Sequence, residues 1–264
     1  MYDFAYHRPA SLEEAERLLS GASDGTLIAG GMTLIPALKQ RLASPSDVID
    51  LSGVAGLSGI SEAGGAIVVG ALTPHAAVAS DAVVTARVPA LAALAAEIGD
   101  PQVRNRGTLG GSIANNDPVA DYPAAVLGLG ATVRTNRREI AADDFFTGMF
   151  ETALEDGEIV TAVSFPVPDK AGYTKFSNPA SRYAVVGVLV SRGPAGTRVA
   201  VTGAGPCVFR SAELEQALAG DFTAAALDAV TVAAEGLNSD IHASADYRAH
   251  LVGVMAKRAV AACG

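Results

Sequence analysis

Two glycine pairs, each set beside small hydroxyl residues, restrict what this chain can fold into more than any other feature. They lie in Ala29-Gly30-Gly31-Met32-Thr33-Leu34 and in Gly107-Thr108-Leu109-Gly110-Gly111-Ser112-Ile113-Ala114. Consecutive glycines remove the Cβ atoms that keep an oxyanion off the main chain, and they permit the positive φ angles that turn successive N–H groups inward. Two such loops can hold a pyrophosphate between them. Thr26-Leu27-Ile28-Ala29 reads as a short buried strand entering the first loop, and Leu34, Leu38 and Leu42 mark one face of a helix leaving it, with Pro36 near the first turn. A helix N-terminus adds its partial positive charge and its unpaired N–H groups to the loop.

Backbone donors of this kind let an acidic chain bind an anionic cofactor with few lysines. The 264 residues carry 19 Lys+Arg against 28 Asp+Glu, a net charge of −9, which argues against a nucleic-acid coat. Gly128-Leu129-Gly130 and Gly203-Ala204-Gly205 lack the third glycine of a GxGxxG fingerprint. Gly25 to Gly30 is followed by Gly31-Met32 where a P-loop needs Lys and Ser/Thr. Cys207 and Cys263 are the only cysteines, so the chain offers no set of four thiolates, and any cluster chemistry belongs to another chain. His7, His75, His242 and His250 show no ligand spacing, are read as structural or exposed, and leave no metal site expected. Pro123 to Val133, among the longest apolar runs, falls short of the ~18–20 residues of a spanning helix. The N-terminus, Met1 to Pro9, has acid and proline where a secretory signal has a basic segment and an apolar core, so a cytoplasmic protein is expected.

Along the chain, Ser11 to Leu19 reads as a capped helix with Glu14 three residues after the Ser, ended by Gly21. Strands are expected at Val48–Leu51, Ala66–Leu72, Ala131–Thr135 and Ile159–Phe165, and helices from about Thr73 and over Val88–Ile98. Between them, Gly99 to Asp121 reads as a long functional loop. Pro166 to Gly172 is the best domain boundary. Beyond it strands are expected at Tyr173–Phe176, Ala184–Ser191 and Arg198–Thr202, then helices at Ser211–Leu218, Ala224–Leu237 and Ala245–Ala262. Helices and strands do not alternate regularly, so the class is α+β rather than a doubly wound sheet.

Three strings carry a resemblance: Ala29-Gly30-Gly31-Met32-Thr33-Leu34-Ile35-Pro36, Gln102-Val103-Arg104-Asn105-Arg106-Gly107-Thr108-Leu109-Gly110-Gly111-Ser112, and Asp117-Pro118-Val119-Ala120-Asp121-Tyr122-Pro123. With Asp143 to Gly148, Tyr173 to Phe176 and Ser239 to Arg248, the sequence resembles the FAD-binding (medium) subunit of molybdenum hydroxylases, over nearly its whole length. The resemblance implies an α+β fold: a two-subdomain FAD-binding region of the PCMH (vanillyl-alcohol-oxidase-like) type over residues 1–168, divided at about 1–55 and 56–168. A small C-terminal α/β domain of the carbon monoxide dehydrogenase flavoprotein type follows over 172–264.

It also implies a site. Leu27, Ile28, Ala29, Gly30, Gly31, Met32, Thr33 and Leu34 in the first loop, and Gly107, Thr108, Gly110, Gly111, Ser112, Ala114 and Asn115 in the second, enclose the FAD diphosphate. Asp121 contacts the cofactor beyond the second loop, Ile98 and Gly99 line it, Ile159 and Val160 approach the ring, Lys175 lies near the flavin, and Tyr183 covers one face of it. Ser112 stands where an asparagine is common, and Arg182 where an aspartate is usual.

Under this resemblance the chain is an electron-transfer subunit with no catalytic nucleophile or base of its own. A large partner carries the molybdenum cofactor and a small partner carries [2Fe–2S] clusters. The assembly is a dimer of heterotrimers, and electrons leave FAD for an external acceptor. Two other readings remain open on sequence: a free-standing FAD oxidoreductase with its own substrate, and a non-redox nucleotide-binding scaffold. Asp117 and Asp121 are better read as an Asx turn and a hydrogen-bond acceptor than as an acid/base pair.

Overall fold

A Ser side chain starts the first helix: Ser11 Oγ accepts from the N–H of Glu14, and the Glu14 carboxylate reaches back to the N–H of Ala10. Such a cap contributes ~1 kcal/mol. The computed structural model describes residues 1–263. It opens with a three-stranded parallel sheet of β1 (Ala5–His7), β2 (Gly25–Ile28) and β3 (Asp47–Asp50), in the order β1-β3-β2, with α1 (Leu12–Gly21) and α2 (Leu34–Lys39) in the connections. Ala15, Ile49, Leu51 and Ile159 share the small core of this region. Helix α2 is shorter than the leucine spacing predicts. The chain leaves the helix at Gln40, Arg41 takes a left-handed φ of 59°, and Leu42 is exposed.

Strands β4 (Ile60–Ala63) and β5 (Ala66–Gly70) begin a five-stranded antiparallel sheet. Six helices follow: α3 (His75–Ser80), α4 (Ala82–Arg87), α5 (Pro89–Ala96), α6 (Pro101–Arg106), α7 (Leu109–Asn115) and α8 (Tyr122–Gly128). The sheet is completed by β6 (Thr132–Thr135), β7 (Glu139–Ala141) and, after α9 (Ala142–Phe145) and the hairpin β8 (Phe146–Gly148) and β9 (Glu151–Thr152), by β10 (Val160–Pro166). Its order is β4-β5-β10-β6-β7. The segment Gly99 to Asp121, expected as one long loop, is mostly helical. Asp100 caps α6, with Pro101 at its first position, and Thr108 caps α7. Asn116 then ends α7 in a left-handed conformation and donates to the carbonyls of Gly148 and Glu151, tying down the β8–β9 hairpin.

A four-stranded antiparallel sheet follows, β11 (Lys170–Ser177), β12 (Ala184–Gly193), β13 (Gly196–Thr202) and β14 (Phe209–Arg210), covered by α10 (Ala212–Gly220) and α11 (Ala245–Ala261). The helix expected over Ala224–Leu237 does not form. Only a 3-10 turn at Ala225–Leu227 is present, and beyond it the partly buried Val230, Val232 and Ala234 alternate with exposed neighbours. The β-branched Val230, Thr231 and Val232 pack better in that extended, period-2 form.

Helix α8, from the apolar run noted in the sequence, is buried at every residue, as a helix apolar all round must be. Its last turn is closed from the C-terminal sheet: Arg198 Nε donates to the carbonyl of Leu127 at 2.8 Å and Ser191 Oγ to that of Gly128 at 2.6 Å. A Cβ on Gly128 would stand 2.6 Å from Leu189. The two halves therefore share packing across α8, where each buried Val or Leu side chain contributes roughly 1.5–3 kcal/mol. No helix among the described residues is long and apolar enough to cross a membrane.

Candidate functional site

The first glycine loop leaves the end of β2 and meets the second at the end of α6. A Cβ on Gly30 would fall inside the carbonyl of Arg106 and against Gly107, so only glycine allows the two main chains to touch. Gly31 holds a φ of 73°, which turns the chain into α2. The second loop is clamped to the five-stranded sheet: Leu109 N–H donates to the Thr73 carbonyl, Gly110 N–H to that of Ala71, and His75 N–H to that of Gly107. A Cβ on Gly110 would meet Ala71 at 2.5 Å, whereas one on Gly111 would point across toward Ala29 at 3.5 Å.

Between the loops lies a cavity of about 540 Å³. Its wall includes Leu27, Ile28, Ala29, Gly30, Gly31, Met32, Thr33 and Leu34, then Ile98 and Gly99, then Gly107, Thr108, Gly110, Gly111, Ser112, Ala114 and Asn115, and finally Asp121, Ile159, Val160 and Tyr183. Of the residues expected at the site, only Lys175 is off this wall. Its side chain is buried behind Asp121, with Nζ 2.9 Å from Asp121 Oδ1 and donating to the Glu97 carbonyl. Tyr173 donates its hydroxyl to the same carboxylate. Burial raises the Asp121 carboxyl above its ordinary value, while the Lys175 charge and the two hydrogen bonds pull the other way. Asp117 forms the expected Asx turn, accepting from Val119 N–H at 3.1 Å.

The backbone donors differ between the loops. The N–H groups of Ala29, Gly30, Gly31, Met32 and Thr33 have no partner among the described residues. In the second loop Gly107, Leu109, Gly110 and Ser112 donate to main-chain carbonyls and Gly111 donates to Thr108 Oγ1, which leaves Thr108 N–H.

Among the wall residues outside the expected cofactor contacts are His75, expected only as structural or exposed, Glu158, and Arg182, which stood out in the sequence where an aspartate is usual. His75 is 5% exposed, its Nδ1 has no partner, and burial, with a smaller push from Arg104, lowers it to about 4, so it is neutral at ordinary pH. The signal for it was the close packing of Gly107 on its ring, which only the tertiary structure reveals. Glu158 accepts from Arg138, Thr135 and the Glu155 N–H; the Arg138 bond leads in lowering it to about 2, and the pairing fixes the start of β10 beside the cavity. Arg182, held at a left-handed φ of 63°, sets Tyr183 at the mouth.

Residues 2–168 match the family described as "FAD binding domain in molybdopterin dehydrogenase", and residues 175–263 match "CO dehydrogenase flavoprotein C-terminal domain". The chain belongs to this family of FAD-binding molybdenum hydroxylase subunits. It is 38% identical to the nicotine 6-hydroxylase medium subunit of Paenarthrobacter nicotinovorans, over 98% of this chain and 96% of that one. It is 36% identical to the carbon monoxide dehydrogenase medium chain of Hydrogenophaga pseudoflava, over 97% and 96%. Among solved structures, reconstituted CO dehydrogenase from Oligotropha carboxidovorans superposes with a TM-score of 0.91 at 34% identity, covering 98% of this chain and 97% of that one. This flavoprotein subunit thus has the α+β fold of CO dehydrogenase medium chains, an FAD-binding domain followed by a C-terminal domain. FAD is its cofactor, and the chemistry of the wall suits a dinucleotide: an unpaired run of backbone donors for phosphate oxygens, the free side chains of Thr33, Ser112 and Asn115, and apolar Leu27, Ile98, Leu154 and Ile159 for ring systems.

Proposed function

We propose that the diphosphate of FAD lies against the main chain of Ala29 to Thr33, with Thr108, Gly111, Ser112 and Asn115 facing it across the cavity. The remaining wall residues, Ile98, Gly99, Asp121, Ile159, Val160 and Tyr183, then orient the rest of the cofactor, and Lys175 acts from behind by fixing the Asp121 carboxylate. The observation that carries this reading is the run of unpaired N–H groups at the first loop, which a bound oxyanion would satisfy. Residues 1–168 form the FAD-binding domain in this reading, with subdomains of about 1–55 and 56–168, and residues 172–264 the C-terminal domain.

Bound FAD supplies the redox chemistry, and the chain supplies binding, orientation and shielding from water. Electrons released at a molybdenum cofactor on a large partner subunit cross [2Fe–2S] clusters on a small partner and leave through this chain to an external acceptor. The complex is a dimer of heterotrimers and works in the cytoplasm. Family membership and the medium-chain relatives support the partners; the substrate pocket belongs to the large subunit.

The test is a visible absorption spectrum of the natively purified protein, with released cofactor identified by chromatography and co-purifying chains by mass. Flavin bands, released FAD and one large and one small partner are expected. Reduction of the isolated flavoprotein by an organic donor would point instead to a free-standing oxidoreductase. A protein that stays colourless with added FAD and its partners would sink the assignment.

A further inference from the structure

A second cavity, of about 430 Å³, lies where the residues after α5 meet the turn between β11 and β12. Two guanidinium groups from distant parts of the chain converge there on one oxygen: Arg104 Nη1 donates to the Gly99 carbonyl at 3.0 Å and Arg182 Nη1 to the same carbonyl at 3.2 Å. Neither arginine has a carboxylate within ion-pair distance among the described residues, although the chain as a whole has a net charge of −9. Two like charges held this close repel, and the carbonyl oxygens they share or touch, that of Gly99 between them and that of Ile98 on Arg104 at 3.0 Å, carry only partial charge and offset this in part.

The other charged groups in this wall do not fill that role. Lys175 is already neutralised by Asp121, and Glu97, the one carboxylate on the wall, pairs with neither arginine. An excess of positive charge is therefore left over. Each guanidinium keeps unused N–H donors in the planar fork that suits phosphate and carboxylate oxygens.

The placement of Arg182 is also costly. A non-glycine residue at a φ of 63° is strained, and the turn holds it there through Arg182 N–H to the Asn178 carbonyl and Asn178 N–H to that of Tyr183. Gly99 and Arg182 line both cavities, so an occupant of the second lies against the first.

We propose that the second cavity binds the phosphate group of a small molecule, clamped between Arg104 and Arg182 beside the flavin cavity. The two guanidiniums carry the anion site itself, and only its position next to a flavin rests on the reading given under Proposed function. The cavity is much larger than a phosphate ion, so an organic phosphate should bind more tightly than inorganic phosphate.

The test is calorimetric titration of the FAD-loaded full-length protein with inorganic phosphate and, separately, with adenosine 5′-diphosphate. Chloride holds the ionic strength constant, and binding is normalised to measured flavin content. Saturable binding is expected, weakened at least tenfold by Arg182→Gln and by Arg104→Gln and partly restored by Arg182→Lys. Tighter binding of adenosine 5′-diphosphate than of inorganic pyrophosphate, titrated as the charge-matched control, identifies an organic ligand, and equal binding of the two identifies a free phosphate anion. Absence of saturable binding, or wild-type affinity in both glutamine variants, overturns the proposal. Joint loss of flavin and phosphate in Arg182→Gln, with Arg104→Gln still binding normally, also overturns it by assigning Arg182 to the first cavity. A chain that takes up no FAD yet still binds phosphate through both arginines defeats the flavin reading alone.

Discussion

In the first glycine loop the N–H groups from Ala29 to Thr33 are unpaired, whereas in the second loop those of Gly107 and of Leu109 to Ser112 are already bonded within the protein. The two segments look alike on paper because glycine answers two different needs. At Gly31 it supplies a positive φ that frees a turn to offer donors; at Gly110 it lets a helix start press against Ala71. One loop is an electrostatic surface and the other a structural clamp that shapes the opposite wall. Under the proposed placement of the FAD diphosphate, its recognition is therefore asymmetric.

The strongest way to break this contrast is Gly30→Ala, which drives a methyl into the Arg106 carbonyl and separates the loops. It should cost the fold several kcal/mol, of the order seen for overpacked sites, and lose FAD with it; thermal unfolding of the apoprotein reads the first effect. Gly111→Val should separate the two needs. Its side chain enters the crevice toward Ala29 while displacing the Thr108 hydroxyl that caps α7, so FAD retention in the assembled complex should be abolished while apoprotein stability falls by only the ~1 kcal/mol of that cap. Unchanged flavin occupancy would refute the role given to this loop.

Acid should test the clamp next. His75 is about 4 in the folded state against an ordinary 6.5, so the unfolded chain binds the extra proton first. Stability is whole above pH ~6.5 and falls as pH drops toward about 4, by on the order of 3 kcal/mol. A His75→Gln variant followed by denaturant titration across this window should lose most of that dependence. The smallest effect belongs to Thr108→Ala, which removes the cap on Gly111 N–H. It should destabilise the apoprotein by ~1 kcal/mol and change FAD affinity by only a few-fold, since the first loop supplies most of the donors.

Much of the cavity wall could be read from sequence because glycine is needed where backbones meet, and that need shows as Gly30-Gly31 and Gly110-Gly111 whatever surrounds them. Long periodic elements such as β12 and α11 were legible for the same reason that they are stable. The helices α6 and α7 were missed because each is short and polar or glycine-rich. The signals that could have found them are local, Asp100-Pro101 and the Thr108 cap. Ala224 to Leu237 misled through its alanines, although its valines alternate as an extended chain does. The burial of Lys175 against Asp121, His75 beneath Gly107 and the convergence of Arg104 and Arg182 on the Gly99 carbonyl depend on contacts between distant segments, which no local pattern carries.

Helix α8 takes its last two carbonyl partners, Arg198 and Ser191, from strands made long after it. On the ribosome its apolar face and those carbonyls must wait, at roughly 5–20 residues per second, for β12 and β13 to emerge. The flavin-binding half is thus complete in sequence before it can be complete in structure. Nascent chains ending at Pro168 should stay protease-sensitive, and those extended through Thr202 should become resistant, making the C-terminal sheet the step that completes the packing around α8.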